Sequence, residues 1–477
     1  MAIRPTLCCL CLFIGGLAFS KPVAADNQTP TVTPVLSSAQ LPFQIKLEKA
    51  SLQLPVGFHS GAFATHRGKW LLVAGRTNGL HGFESNTDNF PPSSQNRSFI
   101  VVDPSKGKVY SRSLEDPQSG LTAEQIDQLS VTSPQFFQKG DTLYLCGGYG
   151  VNSEDGSFST KDVLTAIDVP GMIRWVMFRG GKRVRCAAEL LRQTSNPYLQ
   201  VTGGYMDTVG MELFALLIFG QNFQGFYSPS SNGQYTQQVR PFQIIDTGKE
   251  LYVVPKMAEP PNESYRRRDL NVLPVLVNRQ LAFVALSGVF TLTGGAWTVP
   301  VFIQPDGSAT MANPEDPATF KQAMNNYVCA SLGLYSDSEE AMYGVLLGGI
   351  SYGFFRGGLF MTDSELPFIN QLTTIRIDQA GHIEQFLMER EYPFVPSPAI
   401  HRGHPLLFGA GAFFIPCDRL PQYSHGILQL DRLLDGPRAL GYVVGGIMST
   451  KPNTDSPLES TGSPYLFKVF LEPRNGC

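Results

Sequence analysis

The sequence predicts an all-β fold built from repeats of one unit, and two observations carry this prediction. The first is a strand-like apolar run that ends in two small residues, is followed by a polar loop and occurs six times. The small pairs are Ala74-Gly75, Gly147-Gly148, Gly203-Gly204, Gly294-Gly295, Gly348-Gly349 and Gly445-Gly446. The second is a content of 47 Gly and 35 Pro residues, which is typical of many short strands joined by turns.

Each pair, called a glycine step below, has companion strands. A further apolar segment precedes it, and a strand that ends in Asp follows four of the six steps. These strands are 99–103, 162–168, 242–246 and 374–378. The fourth step has an alternative in Ser287-Gly288, which also follows an apolar run. The repeated unit is therefore a small antiparallel sheet.

The spacing of the steps selects the architecture. It varies from 54 residues between Gly294 and Gly348 to 97 between Gly348 and Gly445. A solenoid would keep its period, whereas a ring of four-stranded blades tolerates insertions in its loops. We predict a single β-propeller domain over 43–473, with four antiparallel strands per blade. Six blades are expected, or seven if residues 426–431 form another, and the strand around 43–47 completes the last blade.

The glycine steps, the strands that end in Asp and the position of Trp175 resemble the kelch repeat of galactose-oxidase-like proteins. The resemblance covers residues 45–473. This chain departs from the kelch pattern because its first step is Ala-Gly and most of its repeats lack the late tryptophan. The resemblance implies a propeller. It also brings sugar chemistry into consideration, because exported kelch propellers include sugar epimerases and oxidases.

The N-terminus indicates export. Arg4 precedes an apolar run of 13 residues from Leu7 to Phe19, which is too short to span a bilayer. We predict a signal peptide over 1–25 and a flexible lead-in over 26–42. No later segment is long and apolar enough to span, so the mature chain is expected in the periplasm or outside the cell.

Charge and cysteine content limit the classes of partner and metal site that the chain can have. The formal net charge of −3 gives no attraction to nucleic acid or anionic membranes. No CxxC pair is present, so a metal ribbon is not predicted. Cys146, Cys186 and Cys329 are expected as buried thiols. An exported setting would allow Cys417 and Cys477 to form a disulfide.

The predicted ligand site lies on one face of the ring. In a kelch-like blade, the loop after the glycine step and the loop before the innermost strand emerge on the same face. The candidate ligand-binding residues on these loops are His59, Arg76, Asn78, His81, Tyr205, Arg267, Asp269, Asn326, His401 and His404. Arginine and asparagine suit carboxylates or sugar hydroxyls, and aromatic faces suit sugar rings. The alternative for each residue is a structural bond to a neighbouring blade.

No metal and no cofactor are predicted. His401 and His404 form the nearest approach to a metal pair, but a zinc site needs a third ligand and neither an HExxH motif nor a nearby acid accompanies them. A copper-radical site would need Cys, Tyr and His ligands at a spacing that this sequence does not show. Ser60 has no Gly-x-Ser-x-Gly context, so a nucleophile elbow is not indicated.

The leading functional hypothesis is a non-enzymatic binding module for a glycan or a protein segment. The alternative is a sugar-modifying enzyme, with His59, His81 or His401 as acid or base and Arg76 or Arg267 holding an anionic group. A second alternative is a scaffold in an envelope complex, which would use the long insertions over 207–240 and 354–370.

Overall fold

The computed structural model describes residues 32–83, 89–178, 185–210, 212–228, 233–397, 404–454, 456 and 458–474. The predicted signal peptide and Cys477 lie outside the described residues. In the described part, no helix is both long enough and apolar enough to cross a membrane. Cys146, Cys186, Cys329 and Cys417 are free thiols there; Cys186 is only half-buried, and it lies in a loop instead of a strand.

The fold is an all-β propeller whose four-stranded sheets are antiparallel meanders in chain order, except that the last one takes a strand from the N-terminal part of the chain. Five sheets have four antiparallel strands. Their strands are, for sheet 1, Ala62–His66, Lys69–Val73, Ser98–Asp103 and Lys108–Ser113; for sheet 2, Gln135–Lys139, Thr142–Cys146, Val163–Asp168 and Leu191–Ser195; for sheet 3, Tyr205–Val209, Phe214–Ile218, Val239–Asp246 and Leu251–Pro255; for sheet 4, Asn271–Val277, Gln280–Leu286, Val301–Ile303 and Ala309–Met311; and for sheet 6, Ala412–Pro416, Arg438–Gly445, Tyr465–Pro473 and Phe43–Gln53.

Sheet 5 corrects the predicted blade count. Its antiparallel core consists of Ala330–Ser336, Ala341–Ile350, Phe368–Asp378 and Ile383–Glu391. Leu428–Gln429 and Leu36–Ser37 pair in parallel with its two edges, which makes six strands. The structure therefore has five four-stranded blades, not six, and sheet 5 takes the remaining place in the ring with six strands. The proposed seventh blade over 426–431 is wrong, because its strand joins sheet 5.

Smaller elements decorate the loops. Four two-stranded ribbons pair Tyr149–Val151 with Phe158–Thr160, Gln221–Asn222 with Gln234–Tyr235, Gly353–Arg356 with Leu359–Thr362, and Ile447–Ser449 with Ser460–Gly462. The two α-helices within the described residues are Ala123–Gln128 and Val169–Met177. The second carries the buried Trp175, with the Arg112 guanidinium 4.1 Å above its ring. The sequence pattern predicts Trp175 at a position of the kelch repeat that follows a strand. In the structure it lies in a helix and packs in the core.

The core closes into a ring because each sheet shares an apolar cluster with the next. The second strands are nearly continuous apolar runs, as in Leu71–Val73, since both of their faces are covered. Clusters join sheets 1 and 2, 2 and 3, 3 and 4, 4 and 5, 5 and 6, and finally 6 and 1. As predicted, the strand around 43–47 completes the last sheet by pairing with Tyr465–Pro473.

Every glycine step has the same backbone conformation. Two consecutive residues take left-handed φ angles, and the second is always Gly. The pairs are Ala74-Gly75, Gly147-Gly148, Phe219-Gly220, Ser287-Gly288, Gly348-Gly349 and Gly445-Gly446. The predicted third step at Gly203-Gly204 is wrong, since these residues precede the first strand of sheet 3, and the fourth step is the alternative Ser287-Gly288. Glycine takes the second position because left-handed φ angles carry no steric cost for it.

Candidate functional site: two cavities on the propeller axis

A ring of six residues surrounds the propeller axis, one before the first strand of each sheet. All six have left-handed φ angles between 48° and 67°. These axis residues are Ser60, Ser133, Gly203, Asp269, Val328 and Gly411. Backbone amides connect them from sheet to sheet: for example, the Ser133 amide donates to the Ser60 carbonyl at 2.8 Å and the Ser60 amide to the Gly411 carbonyl at 3.0 Å. The ring thus fixes the first strands relative to one another.

The axis residues separate two cavities, and all six line both of them. The cavity on the side of the glycine steps has a volume of about 790 Å³ and is called the step cavity. The cavity on the opposite side has a volume of about 750 Å³ and is called the strap cavity, after a loop described below.

Backbone pairing builds the wall of the step cavity. In each sheet the residue just before the axis residue pairs with the residue just after the glycine step, which confirms that these two loops share a face. The pairs are His59 with Arg76, Thr132 with Tyr149, Thr202 with Gln221, Arg268 with Val289, Tyr327 with Ile350, and Ala410 with Ile447. All twelve residues line the cavity. The residue one position earlier faces the packed sheets instead, because side chains of extended backbone alternate.

His59 and Arg76 stand in this wall, and Asn78 orients both. The Asn78 side-chain oxygen accepts from the Arg76 Nε at 3.0 Å, and its carbonyl accepts from the His59 Nε2 at 2.9 Å. The His59 Nδ1 lies 3.0 Å from the Ser60 hydroxyl, which therefore donates to it. Burial, followed by the Arg76 charge, lowers the pKa of His59 to about 3. His59 is a neutral ring with both nitrogens bonded.

His81 lies in an aromatic surround at the rim of the step cavity. Its ring centroid is 4.9 Å from Phe83, 5.1 Å from Phe90 and 4.8 Å from Tyr227. The Nδ1 donates to the Gly82 carbonyl at 2.8 Å. Burial lowers the pKa of His81 to about 4, aided by nearby arginine charge and opposed by the Gly82 bond. This histidine is also neutral near pH 7.

Arg268 lines the step cavity and is held by several hydrogen bonds. Its guanidinium donates to the Tyr235 hydroxyl at 3.1 Å, to the Tyr227 hydroxyl at 3.0 Å and to the Asp269 carboxylate at 2.8 Å. The Phe290 ring lies 5.4 Å from its terminal carbon. Three of its five N–H donors make these bonds. The three hydrogen bonds fix the guanidinium, which faces the cavity between aromatic rings and has two N–H donors beyond these bonds.

Three predicted site residues have other positions. Tyr205 lines the strap cavity and not the step cavity, because the step of sheet 3 is Phe219-Gly220 and Tyr205 begins the first strand. Arg267 is fully buried and donates to the carbonyls of Ser287 and Val299. Burial lowers its pKa to about 9.

Asn326 is likewise buried, and its amide donates to the Gly348 carbonyl at 2.8 Å and to the Gln371 carbonyl at 3.1 Å. Arg267 and Asn326 therefore have structural roles. Their chain neighbours Arg268 and Tyr327 face the cavity. Only a correct register, counted from the axis residue, would have found these two from the sequence. Tyr227, Tyr235 and Phe290 carry no comparable signal because they come from insertions.

Only one histidine of the pair in the sixth repeat lies in the described part of the chain. His401 lies outside the described residues. His404 is exposed, and its carbonyl accepts from the Ser397 amide at 3.1 Å. In the described part, no group of three or more His, Cys, Asp or Glu side chains could hold a metal ion.

The step cavity has an excess of positive charge. Its described lining carries Arg76, Arg266 and Arg268 against Asp269 and Glu365, and the two histidines are neutral. Asp269 is paired with Arg268. A propeller whose loops line such a cavity is, in general terms, a binding or interaction module.

The chain is similar to a solved structure but matches no known family. No protein-family model matches the chain, and no curated protein matches it. A solved structure titled "Structure of YjhT" is similar over 89% of this chain and all of that one, with a TM-score of 0.46 and 10% identity. Similarity at this level carries no information about ligand or activity.

Proposed function

We propose that the protein is an exported binding module whose step cavity holds a glycan, with an acidic sugar as the preferred unit. The observation that carries the proposal is Arg268, which faces a ligand-sized cavity between the rings of Tyr227, Tyr235 and Phe290.

Size supports a small ligand. Small-molecule sites commonly have volumes of about 300–1,000 Å³, and this cavity measures about 790 Å³. A protein segment, the other ligand class expected from the sequence, would leave most of its length outside. One or two sugar units fit within.

The chemistry of the wall supports a sugar with a carboxylate. Aromatic rings pack against the C–H faces of pyranose rings, and tyrosine hydroxyls bond sugar hydroxyls. Arg268 retains two N–H donors beyond its bonds to described residues, and a guanidinium pairs well with a carboxylate. The positive excess in the lining favours an anion over a neutral sugar.

The state of His59 favours binding over catalysis. A general acid or base works best with a pKa near the working pH and needs a nitrogen within reach of the substrate. Both nitrogens of His59 are already bonded, and its pKa of about 3 makes it a poor base. The enzymatic alternative would thus have to do without it.

A thermal-shift titration with glucuronate and glucose tests the proposal. A ligand at a hundred times its Kd should add about 2.7 kcal/mol to the unfolding free energy. We expect a larger shift with glucuronate than with glucose, and its loss in Arg268→Gln. Arg279→Gln, which changes an exposed arginine, is the matched control. No shift with either sugar, or an unchanged shift in Arg268→Gln, would overturn the proposal.

A further inference from the structure

The second cavity lies beneath a long loop that crosses the face opposite the glycine steps. This loop, residues 417–437, is called the strap and joins the first two strands of sheet 6. It pairs with sheet 5 through Leu428–Gln429, and the Asp431 carboxylate accepts from the Ser336 hydroxyl at 2.6 Å. It then reaches sheet 3, where the His425 Nε2 donates to the Thr208 carbonyl at 2.8 Å. The strap thus covers the mouth of the axis.

One wall of the strap cavity is aromatic. Phe63, Phe136 and Phe413 project from the first strands of sheets 1, 2 and 6. Their ring centroids lie 5.3 Å, 5.6 Å and 5.8 Å apart, so the three rings form one continuous surface. All three line the cavity, and Ile427 of the strap lines it as well.

Sheet 3 contributes a carboxylate, Asp207, to the wall of the strap cavity. One Asp207 oxygen accepts from the Thr208 amide at 2.7 Å, and the other accepts from the Tyr205 hydroxyl at 3.1 Å. The His425 Nε2 is 3.9 Å from the first oxygen, but its proton is directed to the Thr208 carbonyl. A carboxylate has about four acceptor positions, so Asp207 keeps capacity for another donor.

Among the described residues, the strap cavity lacks the arginines that line the step cavity. Its described lining contains Asp207 and Asp269 against Lys139, and the Lys139 ammonium donates to the Glu212 carbonyl at 2.9 Å. Burial raises the pKa of Asp207, which a bound cation would reverse. Two cavities of similar size, separated by one ring of residues, therefore differ in the charged side chains that line them.

We propose that the strap cavity is a second ligand site, which takes a small organic amine with its ammonium group on Asp207 and its apolar body against Phe63, Phe136 and Phe413. The volume of about 750 Å³ and the apolar wall with one convergent acceptor are typical of small-molecule sites. A ring that faces the phenyl surface gains apolar contact, and the ammonium gains a charged bond. The inference is independent of sugar binding in the step cavity.

Calorimetric titration of the full chain with three probes tests this site. The probes are 2-phenylethylamine, 2-phenylethanol and 3-phenylpropionate, which share a phenyl body and differ in charge. We expect the amine to bind about tenfold more tightly than the alcohol, the gain of one charged bond, and the propionate to bind weakest. Asp207→Asn should remove the preference for the amine while the alcohol still binds.

Two further variants separate the site from general effects. Asp155→Asn changes an exposed carboxylate and should keep the amine preference. Phe136→Leu should weaken the amine and the alcohol alike, which locates the phenyl body even if Asp207→Asn fails to fold. The inference fails if the alcohol binds as tightly as the amine, if the preference survives in Asp207→Asn, or if no probe binds at about 10 mM.

Discussion

Arg268 donates a hydrogen bond of 2.8 Å to the carboxylate of Asp269, its neighbour in the chain, at the level where the two cavities meet. Asp269 is an axis residue with a left-handed φ of 48°, so its side chain and that of Arg268 come to the same side. Burial raises the pKa of Asp269, and the charge and bond of Arg268 oppose this rise. Each charge is therefore stabilised by the other.

The Arg268–Asp269 pair predicts that substitutions of its two residues have non-additive effects on the unfolding free energy. Arg268→Gln and Asp269→Asn should each lower the unfolding free energy by about 1–3 kcal/mol, because each leaves a partly buried charge without its partner. The double variant should cost less than the sum by about 1 kcal/mol or more. Urea denaturation of the four proteins measures the cycle, and additive losses would show that the pair is not coupled.

The second residue of each glycine step should reject a side chain. In Gly75→Ala, the added Cβ would collide with the His59 carbonyl oxygen at a φ of +82°. We expect a loss of about 2 kcal/mol or more in unfolding free energy. Gly107→Ala is the control, since its φ is +59° but no atom lies within 4 Å. Its loss should be about 1 kcal/mol. Equal losses would contradict this explanation of the step.

Neutral His59 predicts that acid destabilises the fold. Its pKa falls from 6.5 in the unfolded chain to about 3 in the folded one, so the unfolded state binds more protons below pH 6.5. Stability should be complete above pH 6.5 and should decrease as the pH falls toward 3. At pH 5 the loss from His59 is about 2 kcal/mol. Denaturation at pH 7.5 and 5 should show a smaller difference in His59→Gln, and an unchanged one in His404→Gln.

The His425 contact should hold the strap closed. His425→Ala removes the bond to the Thr208 carbonyl and should raise the rate of trypsin cleavage at Arg419 or Arg432 about fivefold, with little change in thermal midpoint. His382→Ala, at an exposed histidine, is the control. Unchanged cleavage in His425→Ala would mean that other strap contacts suffice.

The sequence identifies the propeller because the second residue of every glycine step is Gly. Its first position also needs a left-handed φ, yet Ala74, Phe219 and Ser287 supply it in three sheets. A Gly-Gly pattern therefore misses the step at Phe219-Gly220, gives Ser287-Gly288 only as an alternative, and selects Gly203-Gly204, where Gly203 is an axis residue. Tertiary packing forces these residues into a conformation that local preference disfavours.

Predicting the residues of the site requires a strand register that is correct to a single residue. His59, Arg76 and His81 line the step cavity, and Asp269 lines both cavities. The predicted residue Arg267 lies one position before Arg268, which faces the cavity. A shift of one residue in extended backbone reverses the direction of the side chain. Nothing in the sequence marks the aromatic residues that the insertions bring to Arg268.

Affinities for glucuronate in two variants test the central claim that the cavities differ in chemistry. Calorimetric titration should give a Kd at least about tenfold weaker in Arg268→Gln than in the wild type, which corresponds to one lost charged bond. Asp207→Asn, across the axis ring, should leave this Kd unchanged. Loss of glucuronate binding in Asp207→Asn, with binding retained in Arg268→Gln, would contradict the assignment of the sugar to the step cavity.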